Sequence, residues 1–174
     1  MAYENTDVTV EKSQGELRKL LTKYGADRFT FGESIDLEGL RWVGVEFTHD
    51  GHLVRLVAPL KPADPKWVKQ KVQRARTKTA ADFEAEHTEQ ENRRIWRVVF
   101  WSLKSRMVAI EEGVETFEQA FLAHLVDPGT DRTLWQRLAP AVEAGAMKVG
   151  GRGLPALGAG HTSDNVVDAE IIEA

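Results

Sequence analysis

Five histidines, two knots of carboxylates and two runs of cations are the side chains through which this chain could do chemistry. His49 and His52 flank the dipeptide Asp50-Gly51, so two imidazoles and a carboxylate come within reach of one metal ion. A zinc site normally takes three or four protein ligands, and no third one is evident, so the alternative reading is two exposed histidines beside a turn. Glu111, Glu112, Glu115 and Glu118 cluster at a helix junction, with His124 further on. Acid clusters can hold divalent ions for phosphoryl chemistry. They also sit favourably at helix N-termini, which suits Glu115 and Glu118. His124 falls one turn beyond Phe121 and reads as a half-buried core histidine. The glycines of 150–160 have no Lys-Ser/Thr pair and follow no strand, so they form no phosphate-cradling loop. No nucleophile elbow or His-Glu-x-x-His motif occurs. The chain reads as non-catalytic, with no cofactor and no metal.

The cations are more informative. Residues 61–78 carry Lys61, Lys66, Lys69, Lys71, Arg74, Arg76 and Lys78 against one acid, Asp64. Further on, Arg93, Arg94, Arg97 and Lys104 fall within an arc of roughly 100° on one helix, with Trp101 inside that arc. An aromatic ring among cations suits a surface that stacks a base and neutralises phosphates. The competing reading pairs these arginines with Glu89, Glu91 and Glu111, as i,i+4 ion pairs commonly do, and packs Trp101 under a neighbouring helix.

The elements that must carry these groups follow from periodicity. Ser13-x-x-Glu16 reads as a capping box, and Leu17, Leu20, Leu21 and Tyr24 share a helical face. This predicts a helix over 12–24 stopped by Gly25, with Val8 and Val10 before it as a short edge strand. Phe29 and Phe31 alternate with polar neighbours, as do 41–49 and 52–59, and Asp50-Gly51 between the last two predicts a type I′ hairpin. The two-residue loop sets His49 opposite His52, Phe47 opposite Val54, Val45 opposite Leu56 and Val43 opposite Ala58. The other face pairs Glu46 with Arg55 and Gly44 with Val57. Asp64-Pro65 opens a basic helix over about 65–76, whose apolar stripe is Val68, Val72 and Ala75. A long helix follows over 81–112, with Trp96, Val99, Phe100, Leu103, Met107 and Ile110 turned to the sheet. Thr116-x-x-Gln119 caps a helix through about Val126. A last helix begins near Asp131, with Leu134, Trp135 and Leu138 inward and a kink or restart at Pro140.

The expected architecture is α+β: an N-terminal helix, a three-stranded antiparallel sheet, a long helix packed on it, further C-terminal helices and a disordered acidic tail. One domain is expected over 1–148 and a Gly/Pro-rich linker and tail over 149–174. The net charge of −4 equals that of 161–174, where Asp164, Asp168, Glu170 and Glu173 meet no Lys or Arg. The first 160 residues therefore sum to zero. Asymmetry of this kind suggests polyanion contact or an autoinhibitory tail. No cysteine, no apolar leader and no membrane-length apolar run occur, which suits a soluble cytoplasmic protein.

The order helix, three strands, helix resembles the double-stranded-RNA-binding domain. However, Lys69-Gln70-Lys71 and Arg74-Ala75-Arg76 are not spaced like that family's basic motif. A sheet backed by a long helix, with basic strips and an acidic tail, resembles the phage single-strand annealing proteins in outline. The blocks Glu11-Lys12-Ser13…Lys23-Tyr24-Gly25-Ala26 and Glu115-Thr116-Phe117-Glu118…Phe121-Leu122-Ala123-His124 are similar to an uncharacterised family of bacteriophage and prophage genomes, over about residues 8–140. That resemblance implies a phage setting and assigns no residue a role. Two functions are expected. The first is a nucleic-acid-binding or recombination-accessory protein, contacting DNA or RNA through Lys66, Lys69, Lys71, Arg74, Arg76, Lys78, Arg93, Arg94, Arg97, Trp101 and Lys104. The second is an assembly module that forms a homo-oligomer or binds a protein partner through the long helix or acidic tail.

Overall fold

Asp50 and Gly51 take φ of +48° and +80° in the computed structural model, which describes residues 3–145. Positive φ at both loop positions is what a type I′ turn needs. The turn joins β2 (Arg41–His49) to β3 (His52–Pro59) in the expected register, from His49 opposite His52 to Val43 opposite Ala58. β1 (Arg28–Ile35) adds antiparallel to the other side of β2, giving the order β1-β2-β3. Period-two alternation sends Val43, Val45, Phe47, Val54 and Leu56 to one buried face. On the opposite face Arg55 pairs with Glu46 across the strands and donates to the Asp131 carbonyl and carboxylate, both at 2.8 Å. That face is partly covered there, whereas Val57 stays half exposed.

α1 (Val10–Lys23) starts earlier than its sequence suggests. Thr9 is the cap, its hydroxyl accepting from the Lys12 amide at 3.2 Å, while Ser13 lies buried one turn inside. Val8 and Val10 accordingly form no strand. Gly25, at φ +77°, ends the helix as expected.

α2 (Pro65–Arg74) begins at the expected Asp64 cap, and α3 (Ala80–Glu111) runs for 32 residues. Thr79 and Asp82 cap α3 reciprocally. The α3 face of Trp96, Val99, Phe100, Leu103 and Met107 enters the core with the inner sheet residues and with Leu17 and Leu21 of α1. The face turned to the sheet is therefore shared with α1. Trp96 meets Phe31 edge-on at 5.6 Å.

After α3, Thr116 and Gln119 form the expected capping box, but α4 (Phe117–Phe121) lasts only five residues. A 3₁₀ turn (Leu122–His124) follows, then β4 (Val126–Asp127) paired with β5 (Arg132–Thr133). The expected continuation to Val126 fails because Leu125 bridges to Val54 at the sheet edge, drawing the chain into extended conformation. Phe117 and Phe121 close one end of the core against Phe47.

α5 (Leu134–Glu143) is capped by Thr133 and Gln136 reciprocally and contains Pro140 without a restart. Trp135 and Leu138, expected inward, are 52% and 43% exposed. A boundary between compact units falls between Ala139 and Pro140, within α5. The boundary expected at 148, and the linker and acidic tail over 149–174, lie outside the described residues.

Candidate nucleic-acid interface

α2 exists because Asp64 accepts from the Lys66 amide at 2.8 Å and Pro65 supplies a first helical residue with its φ already set. Only Val68 on it is fully buried. Helical spacing puts Lys66, Lys69, Gln70, Gln73 and Arg74 on the opposite side, and all five are exposed. Lys71 and Arg76 are exposed too. Lys66, Lys69, Lys71, Arg74 and Arg76 make no ion pair among the described residues, whereas Lys78 pairs with Glu86. Unpaired cations on one short segment create a local positive field that a polyanion can use without breaking existing contacts.

The α3 arginines are arranged differently. Arg93 pairs with Glu89 one turn away. Arg94 donates twice to Glu91, at 2.6 and 2.7 Å, and both side chains are largely buried. Those donated bonds hold the Glu91 carboxyl below the usual carboxylate range, against the opposing effect of burial. Arg97 pairs with Glu16 of α1 and lies 5.5 Å from the centre of the Trp101 ring. Lys104 has no ion pair among the described residues, and its ammonium sits 4.8 Å from the same ring. The cationic arc is thus real, but its three arginines are neutralised by acids, which leaves Trp101 and Lys104 as its open part. Trp101 is 39% exposed and so is not packed under a neighbouring helix.

Phe83, His87, Gln90, Arg94, Arg97, Trp101, Lys104 and Val108 alternate at spacings of four and three, so they form one stripe along α3. Its first half is covered: Phe83 and His87 by Trp67 of α2, Gln90 by the Glu4 and Thr6 carbonyls it donates to. Its second half is open from Trp101 to Val108. Where α2, α3 and the N-terminal segment meet lies a cleft of about 640 Å³, lined by Trp67, His87, Glu86, Asp64 and Arg94 among others. Trp67 was not among the residues expected at the site. Its spacing to Lys71 and Arg74, four and seven residues, could have revealed it: the Lys71 ammonium stands 5.5 Å from the Trp67 ring centre.

The other candidate groups are occupied. His49 and His52 lie against Phe117, at 4.5 and 6.3 Å between ring centres, with His49 3.6 Å from Asp50 and His52 3.9 Å from Glu118. Glu111 accepts from the Tyr24 hydroxyl at 2.5 Å and from Lys23 at 3.3 Å, and Glu112 caps α3. The acid cluster is therefore dispersed among separate partners. Among the described residues no three His, Asp or Glu side chains converge on a metal position. His124 is half-buried, as its spacing suggested; burial, then the charge of Arg106, pushes its imidazole below the ordinary pKa.

Compared with known proteins, the chain matches no protein family, no curated protein and no solved structure.

Proposed function

We propose that the chain is a non-catalytic nucleic-acid-binding or recombination-accessory protein that tracks phosphates with α2 and the segment following it. The observation that carries this reading is the set of five exposed cations, Lys66, Lys69, Lys71, Arg74 and Arg76, with no ion pair among the described residues. Lys78, Arg93, Arg94 and Arg97 are held by acids and act at the margin of the surface; Trp101 and Lys104 extend it along α3. Anisotropy titrations of labelled single strands and duplexes at two salt concentrations test the reading. Each phosphate contact releases counterions, so five contacts give a log–log slope of roughly −3.5 on single strands. No binding at about 50 mM salt, where such contacts are strong, overturns it.

A second reading, an assembly module, draws on a separate observation. Trp135 and Leu138 on α5 are exposed, as are Trp101 and Val108 on α3, and large aromatic and aliphatic groups left in water are common at partner surfaces. Sedimentation across a hundredfold concentration range, with Trp135→Ser and Leu138→Ser as controls, distinguishes self-association from nucleic-acid binding.

A further inference from the structure

From the cleft beside α2 we infer a base-reading pocket: a single unpaired nucleobase enters against Trp67 and His87 while its phosphates remain outside on Lys71, Arg74 and Lys66. The inference rests on the nucleic-acid reading above and deepens it by specifying strand type and base class.

Four observations converge. The cleft, about 640 Å³, has the volume of a small-ligand site. Its aromatic lining is Trp67 and His87, whose rings meet at 5.8 Å with 62° between their planes. Aromatic rings are what nucleic-acid pockets use to hold a base without regard to sequence. The third observation is chemical polarity. His87 Nδ1 is shut off from solvent with no hydrogen-bond partner among the described residues, so the imidazole offers a ligand its ring rather than that nitrogen. Arg94 is paired with Glu91, which leaves Lys61 as the lining cation without an ion pair among the described residues. The carboxylates of Asp64, whose Oδ1 accepts from the Lys66 amide, and of Glu86, whose Oε1 pairs with Lys78, also line the cleft, and each keeps a second oxygen that can accept from an N–H group.

The fourth observation is placement. Trp67, Lys71 and Arg74 stand at i, i+4 and i+7 of α2, so a helical edge carries the aromatic group and the unpaired cations together. A nucleotide lying along that edge puts its base inward and its backbone outward, each against groups of matching chemistry. Duplex bases are stacked on each other and cannot enter. Carboxylate acceptors favour bases that present an exocyclic amino group, as when Asp or Glu accepts from cytosine N4. Thymine and uracil lack one.

The test uses the full chain and labelled oligonucleotides of about ten nucleotides, within the usual range of single-strand site sizes. Oligo-dC is expected to bind several-fold more tightly than oligo-dT. Trp67→Ala should lower single-strand affinity roughly 5- to 150-fold, the range for losing one stacked base, and leave duplex affinity within about twofold; Trp67→Phe should keep most of it. Glu86→Gln should erase the dC preference without weakening dT. Because Trp67 also contacts Phe83, circular dichroism accompanies each variant. Ultraviolet crosslinking of wild-type protein to oligo-dC, mapped by mass spectrometry, should mark the peptide containing Trp67 whether or not the alanine variant folds. If that peptide stays unmarked and oligo-dC and oligo-dT bind alike, the pocket is refuted. If Lys66→Ala/Lys69→Ala/Arg74→Ala still abolishes binding in that case, the phosphate surface stands without it. Absence of any binding by the wild type removes both.

Discussion

Glu91 and Arg94 illustrate what a paired charge does at a half-buried position. Glu91 accepts two bonds from Arg94 and one from the Lys61 amide at 3.4 Å, so the pair joins α3 to the chain leading into α2. Arg94→Ala leaves a carboxylate largely out of water without its cation and should cost about 2 kcal/mol, read from urea midpoints. Glu91→Leu/Arg94→Met should recover much of that loss. The folded-state pKa of Glu91 is depressed, so its contribution is present above the ordinary 4.5 and fades as pH falls through the folded value. His124 acts in a higher window. Its imidazole is also depressed, first by burial and then by Arg106, so the unfolded chain binds the proton more readily. Its stability contribution holds above the ordinary 6.5 and is lost as pH drops below it. His124→Gln should flatten the stability profile just below pH 6.5 while leaving the acid limb set by Glu91. At this scale the sequence shows which side chains are cationic but not which are spent. Arg97 finds Glu16, 81 residues away, and no local spacing announces such a partner. Trp67 escapes notice for the converse reason, because it sits among cations whose charge dominates any reading of that segment.

The elements most legible in the sequence are those whose ends are chemically punctuated. Asp50-Gly51 fixes the hairpin register, Asp64-Pro65 opens α2, and Thr116 with Gln119 opens α4. Where an element ends because of a distant neighbour, local pattern misleads. The helix expected through Val126 stops once Leu125 bridges to Val54. α5 keeps its helical period yet leaves Trp135 and Leu138 in water, because periodicity shows that an apolar stripe exists but not what it faces. Gly51→Val should cost about 1–2 kcal/mol, since φ of +80° is strained for a β-branched residue; an unchanged thermal midpoint would contradict this. α2 supplies the binding counterpart. Replacing Lys66, Lys69, Arg74 and Arg76 by Ala should weaken every nucleic acid alike. On single strands it should also reduce the salt slope by roughly 0.7 for each phosphate no longer neutralised.

At the scale of the whole chain, a protein of net charge −4 still carries seven cations against one acid over residues 61–78, so its overall sign says little about which partner that segment attracts. Among the described residues the buried apolar side chains run from Leu17 to Phe121. A chain ending at Ala144 therefore keeps this core and should still unfold cooperatively in a calorimeter. α3 threads that core unevenly. From Ala80 to Gln90 only Phe83 is buried, and its cover is Trp67; from Glu91 onward Ile95, Trp96, Val99, Phe100, Leu103 and Met107 are all enclosed. A single unbroken helix thus spans two regimes of amide hydrogen exchange. Local opening energies follow buried contacts, so the first three turns of α3 and all of α2 should exchange as one fast unit. The turns after Glu91 should exchange only through global unfolding. An oligonucleotide gripped by α2 would slow the fast half and leave the slow half untouched, a signature written along one helix.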